Sequence, residues 1–122
     1  MQTTGKKRNT IDKFYTSPII VNKCMKLIKQ KINIQSTDLC IEPSAGNGSF
    51  INAIKSLFKH YKFYDLKPEN DEIIKKDYLQ YDYNTIIKEQ NSKVHIIGNP
   101  PFGRQSSLAI KFIKKSCEYC DS

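Results

Sequence analysis

Residues Val94 to Ser107 read VHIIGNPPFGRQSS, so the apolar residues of a buried strand run straight into Asn99-Pro100-Pro101-Phe102. Proline locks φ, removes an N–H donor and pushes the residue before it into extended geometry. Asn99 and Pro100 each precede a proline, and both are therefore held extended. The stiffened segment offers the Asn99 carboxamide oxygen and the Pro100 carbonyl as acceptors. Phe102 adds a flat ring beside them. Two acceptors and a ring suit a planar group that carries an NH2.

A second constellation lies upstream. Ile41 to Phe50 read IEPSAGNGSF, which predicts a strand, a glycine turn and a helix in succession. Gly46 and Gly48 let the backbone turn tightly and approach a ligand where a helix N-terminus points its free N–H groups. No Gly-Lys-Ser/Thr follows, which excludes a P-loop, and the third glycine of the dinucleotide fingerprint is missing. Glu42 stands before the turn instead. A carboxylate there repels a pyrophosphate and suits a cationic ligand.

These residues need elements to hold them. Residues 1–12 are polar and basic and read as a flexible arm, with one domain over residues 13–122. TSPIIVNKCMKLIKQKI predicts a helix with Pro18 just inside its start and Ile20, Cys24, Leu27 and Ile28 as its apolar stripe. DLCIEPS predicts a buried strand, and FINAIKSLFKHY a helix with Phe50, Ile54, Leu57 and Phe58 inward. KFYDL, EIIKKDYL and KVHIIGNPP predict three further strands. SSLAIKFIKKSCEYC predicts a closing helix with Leu108, Phe112 and Ile113 inward. Strands alternating with helices give an α/β class with a mostly parallel sheet and flanking helices.

The 122 residues suffice for one small domain, and the net charge of +8 draws it toward phosphate polyanions. Only Arg8 and Arg104 are arginines, whereas evolved phosphate contacts favour the arginine fork. No apolar run approaches the roughly 20 residues of a membrane span, and no h-region follows the basic start. An intracellular protein without a membrane role is expected, in cytoplasm or nucleus, or in a host cell if viral. Cys24, Cys40, Cys117 and Cys120 form no disulfide framework in such a chain. The lone CEYC lacks a second ligand pair, with His60 and His95 far apart in sequence, and no metal site is expected.

The sequence resembles the class I S-adenosylmethionine (SAM)-dependent methyltransferases, and among them the amino-methylating DNA type, over roughly Asp12 to Phe112. The family's first motif resembles Glu42-Pro43-Ser44-Ala45-Gly46-Asn47-Gly48-Ser49-Phe50, and its catalytic motif resembles Asn99-Pro100-Pro101-Phe102. Phe14, Tyr15 and Thr16 resemble the segment that closes over the methionine part of the cofactor. The resemblance implies that Asp65 binds the ribose hydroxyls and that Asp77, with Tyr78 beside it, binds the adenine. It implies SAM as cofactor, a Rossmann-like methyltransferase fold, and transfer to an exocyclic amino group, adenine N6 in DNA first of all.

The fold it implies is a seven-stranded sheet whose first four strands stand in the order three, two, one, four. This chain has residues for those four strands and the helix after them. The fourth strand is then expected at an open edge, which leaves three readings: a split enzyme completed by a partner chain or oligomer, a truncated relic, or a compact stand-alone form. Cytosine N4, RNA guanine N2 and a protein glutamine stay open as targets. So does a non-catalytic or split SAM-binding fragment.

Overall fold

A computed structural model describes residues 15–86 and 92–122 of the chain. Phe14 and the arm over residues 1–12 lie outside these. The described elements, in order, are α1 (Pro18–Lys31), β1 (Leu39–Glu42), α2 (Ile51–Leu57), β2 (His60–Asp65), β3 (Ile74–Lys75), β4 (Val94–Ile96) and α3 (Ser107–Cys117). Short 3₁₀ turns occupy Tyr78–Gln80, Tyr83–Thr85 and Arg104–Ser106. The four strands form one all-parallel sheet in the order β3-β2-β1-β4, so the chain is an α/β fold.

β1 is hydrogen-bonded on both sides, with Leu39 beside His60 and Val94, and Ile41 beside Lys62 and Ile96. Side chains alternate across a strand, and the core divides accordingly. Cys40 and Phe63 pack against Val21, Met25, Ile51, Ile54 and Phe58 from α1, α2 and the residue after α2. Leu39, Ile41 and Tyr64 face Tyr78, Tyr81 and Phe112 on the other side. Glu42, two residues after Cys40, falls on the α1/α2 face and Asp65, two after Phe63, does the same. Parity thus aims both carboxylates at one layer.

Three expectations about helix faces and lengths are corrected. The buried residues of α1 are Val21 and Met25, with Cys24 and Ile28 partly buried, while Ile20 and Leu27 are exposed. α1 carries apolar residues around much of its circumference, so periodicity alone does not choose the inner face. On α3, Ile113 is 57% exposed and Ser116 is buried in its stead, because the Ser116 hydroxyl meets the Tyr78 hydroxyl at 2.8 Å. The strand expected over EIIKKDYL is only Ile74–Lys75. Asp77 ends it by accepting from the Leu79 N–H at 3.1 Å, a local turn that competes with strand geometry.

The fourth strand does not present a bare edge. The Ile96 N–H donates to the Ser122 carbonyl at 2.8 Å and the Asp121 N–H to the Val94 carbonyl at 2.8 Å. No helix among the described residues is long and apolar enough to cross a membrane.

Behind the strand starts lies a buried polar knot. Asp38, wholly buried, accepts from the backbone N–H of Gln35 at 3.1 Å and of Lys93 at 3.0 Å. It also lies 2.8 Å from His95 Nε2, and His95 Nδ1 lies 2.6 Å from Ser122 Oγ. A carboxylate only accepts, so Nε2 donates to Asp38, while Nδ1 pairs with the Ser122 hydroxyl. Burial on its own would raise the Asp38 pKa, but the hydrogen bonds from His95, Gln35 and Lys93 outweigh it and hold it below the usual carboxylate range.

A carboxyl whose folded pKa is depressed stabilises the fold above its unfolded value, near pH 4, and loses that contribution as pH falls through the folded value. Asp38→Asn should therefore cost about 1–3 kcal/mol in urea unfolding at pH 7. The gap to wild type should close toward pH 2. An equal gap at both pH values would remove the charged role assigned to Asp38.

Candidate functional site

In a parallel sheet all strands end on the same side, and ligands bind where neighbouring connections diverge to opposite directions. Here that point lies between β1, which leads to β2, and β4 on its other flank. A cavity of about 300 Å3 opens at these ends, within the size range of small-molecule sites. After β1 it is lined by Pro43, Ser44 and Gly46, and after β2 by Asp65, Leu66 and Lys67. Lys76, Asp77, Tyr78 and Leu79 follow β3, and Asn99 to Gly103 follow β4. Leu108 and Phe112 of α3, together with Tyr15, complete the lining.

A compartment of about 30 Å3 adjoins it, bordered by Tyr15, Thr16, Glu42, Ser44, Ala45, Gly46, Asn47, Ser49, Phe50 and Asn99. Tyr15, Ser44, Gly46 and Asn99 border both spaces. The two motifs that the sequence singles out therefore meet at one place.

The glycine turn is held from β2. Gly46 has φ +60° and Gly48 φ +92°, a region that side chains disfavour. A Cβ on Gly48 would come within 2.9 Å of Ile51 Cδ1. The Gly46 N–H donates to Asp65 Oδ2 at 2.8 Å, and the Lys67 N–H donates to Asp65 Oδ1 at 2.9 Å. Asp65 thus braces the turn with one oxygen and its own loop with the other. A carboxylate has about four acceptor positions, so such bracing is compatible with a further donor from a ligand.

The segment before α1 roofs the turn. A methyl placed on Gly46 would lie 3.7 Å from the Tyr15 ring, in ordinary contact. The Tyr15 hydroxyl donates to the Glu69 carboxylate, 2.7 Å from Oε2 and 2.9 Å from Oε1. Asn99 Nδ2 donates to Thr16 Oγ1 at 3.4 Å, and the Ser44 hydroxyl donates to the Asn99 carbonyl at 3.2 Å.

Glu42 is the group whose surroundings are least in balance. It is 2% exposed, and its Oε1 has no hydrogen-bond partner among the described residues. Burial first, and then the nearby Asp65 charge, pushes its pKa up to about 8. Its neighbour Gly98 is a residue that the motif reading passed over: a Cβ there would approach Glu42 Cγ to 3.1 Å and Oε2 to 3.4 Å. The signal was present as a glycine between a strand and Asn-Pro-Pro. Glu69 carried no signal at all, because only the fold brings it to Tyr15.

The other expected residues fall as follows. Pro43 and Ala45 are buried in the turn, and Phe50 is core at the rim of the small compartment. Gly48 borders neither space and shapes the turn only. Asp77 is exposed at the cavity, whereas Tyr78 is buried with its hydroxyl turned to Ser116 and Tyr119. Phe102 is 42% exposed with Pro100 and Pro101 beside it. Among the described residues no cluster of three or more His, Cys, Asp and Glu is arranged to hold a metal. Comparison with protein-family models, with curated proteins and with solved structures finds no match.

The buried carboxyl sets a stability test. A folded pKa near 8 against about 4.3 unfolded means the folded state keeps a proton that the unfolded chain releases. That contribution is complete below about pH 4 and is lost as pH rises toward 8. Glu42→Gln, which has no charge to bury, should melt at least about 4 °C above wild type at pH 8.5. The difference should shrink toward pH 5. A pH-independent difference in scanning fluorimetry would contradict the buried, protonated carboxyl.

Proposed function

We propose that the chain is a SAM-dependent methyltransferase acting on an exocyclic amino group, with adenine N6 in DNA as the leading target. The observation that carries this reading is the meeting of Glu42, the glycine turn and Asn99–Phe102 around adjoining cavities at the strand ends. The sheet order β3-β2-β1-β4 supports it too, being the order that the resemblance implies for the first four strands of a Rossmann-like methyltransferase.

The residues present fit the cofactor. Glu42 Oε1, buried and without a partner among the described residues, would be an acceptor for an ammonium group. Asp65, at the end of β2, would take ribose hydroxyls while still bracing Gly46. Asp77 at the cavity would take the adenine amino group, with Leu79 and the buried Tyr78 as apolar lining. When bound, SAM supplies an electrophilic methyl group on a sulfonium.

What the chain itself contributes is orientation. An aromatic amino group is a weak nucleophile because its lone pair is delocalised into the ring. The Asn99 carboxamide oxygen and the Pro100 carbonyl would accept its two N–H bonds, favour a pyramidal nitrogen and aim the lone pair. The same acceptors would stabilise the positive charge that grows on nitrogen. Phe102 would stack on the base, worth on the order of 1–3 kcal/mol. A base in a duplex must first be flipped out of the stack. Arg104, Lys111 and Lys114 are exposed beside this motif and on α3, where they would attract phosphates.

A second reading, a SAM-binding fragment completed by another chain, needs that chain to pair beyond Asp121 and Ser122, which hold the edge at Val94–Ile96. Ser122 receives the Ile96 N–H and donates to the Val94 carbonyl at 3.3 Å, which is the pattern of a parallel rung beside His95. A strand continuing that rung would extend the sheet next to Asn99.

Two expected outcomes test the proposal. Isothermal titration of SAM near pH 7 should show saturable binding with release of a proton, because an ammonium against Glu42 favours its ionised form. Repeating the titration in buffers of different ionisation enthalpy reads that proton directly, and Glu42→Gln should abolish it. No binding at millimolar SAM would sink the cofactor reading. In a tritiated methyl-transfer assay with DNA, RNA and protein as acceptors, Asn99→Ala should lower turnover by about 10²-fold. SAM affinity should change much less. Equal losses in both would instead make Asn99 a binding residue.

A further inference from the structure

Asn99 is gripped from two elements at once. The Ser44 hydroxyl, on the glycine turn, holds its backbone carbonyl. Thr16 Oγ1, on the roofing segment, holds its side-chain nitrogen at 3.4 Å. Thr16 is not a loose partner. On one side Ser17 caps α1, with its side chain accepting from the Ile20 N–H at 3.4 Å and its carbonyl from the Val21 N–H at 2.9 Å. On the other side Tyr15 is fastened to Glu69. The hydroxyl of Thr16 is therefore delivered to Asn99 by an anchored backbone.

Asn99 borders both spaces, Thr16 borders only the small compartment, and Pro100 to Phe102 border only the large cavity. A carboxamide is planar, with oxygen and nitrogen on opposite sides. Seating the nitrogen on Thr16 turns the oxygen away from the small compartment. A hydroxyl alone serves either end of a carboxamide. In this structure it is the nitrogen that lies against Thr16 Oγ1.

We infer that Thr16 is a positioning residue, whose hydroxyl fixes the Asn99 carboxamide with its oxygen toward the large cavity. The kinetic consequence rests on the methyltransferase reading above, whereas the structural one stands without it. Since Thr16 lies in the segment that covers the glycine turn, the placing of that segment and the orientation of Asn99 are coupled.

The first arm of the test uses the ligand-free 15N-labelled chain. Asn99 carboxamide protons, assigned by their loss in Asn99→Asp, should show a nuclear Overhauser contact to the Thr16 methyl and slow exchange with water. Thr16→Val keeps the shape and removes the hydroxyl. It should speed that exchange about fivefold, the factor one modest hydrogen bond supplies, and Thr16→Ser should restore it. Thr16→Ala repeats the removal should valine pack badly.

The second arm measures single-turnover methyl transfer to DNA at saturating SAM. Thr16→Val should fall roughly tenfold, less than loss of Asn99 itself, and Thr16→Ser should stay within about twofold of wild type. Unchanged exchange in Thr16→Val and Thr16→Ala overturns the inference, as does unchanged single-turnover transfer. A wild type that fails to bind SAM counts against the methyltransferase reading, while the exchange arm still decides the role of Thr16.

Discussion

A strand with parallel neighbours on both sides has no face to spare for water, and β1 is that strand. All four of its residues are buried, so one layer of helix must cover each face. α1 and α2 supply one layer and α3 the other. Parallel pairing also forces every strand to end on the same side, and with it the loops after β1, β2, β3 and β4 that carry candidate functional residues. Proximity of the glycine turn to Asn-Pro-Pro-Phe is thus a consequence of how β1 is paired. Nothing in either motif alone produces it.

The same burial accounts for the charge distribution at the site. Glu42 lies at the end of the most enclosed strand, where a carboxylate is disfavoured unless it meets a donor or a cation. Asp65 lies one strand away in a similar layer, yet its oxygens receive backbone N–H groups from Gly46 and Lys67. Two acidic residues of equal parity therefore differ in readiness for a ligand. One is already employed as a brace, and the other has an oxygen without a hydrogen-bond partner among the described residues.

Much of this was legible in the amino-acid sequence, for stated reasons. The glycines at 46 and 48 and the prolines at 100 and 101 restrict the backbone locally, so their geometry needs no tertiary information. Apolar strands between helical stretches gave the α/β class in the same way. What was not legible depended on distant partners. The inner face of α3 includes Ser116, whose burial makes sense only beside the Tyr78 hydroxyl. The inner face of α1 depends on which of its many apolar residues meet Ile54 and Phe58. The Tyr15–Glu69 tether joins positions far apart in the chain and follows no pattern in either neighbourhood.

The alternation along β1 has a consequence for how this site tolerates change over evolutionary time. Leu39 and Ile41 face one layer, while Cys40 and Glu42 face the other, in a fixed register with β2 and β4. That register behaves like a reading frame. Exchanging one apolar residue for another within it perturbs packing locally, but gaining or losing a single residue between Leu39 and Glu42 inverts everything downstream. The carboxyl would then point into the tyrosine-lined layer and an isoleucine toward the small compartment. A change of length in an exposed loop leaves this frame intact, whereas a change in the residue count of the central strand breaks it.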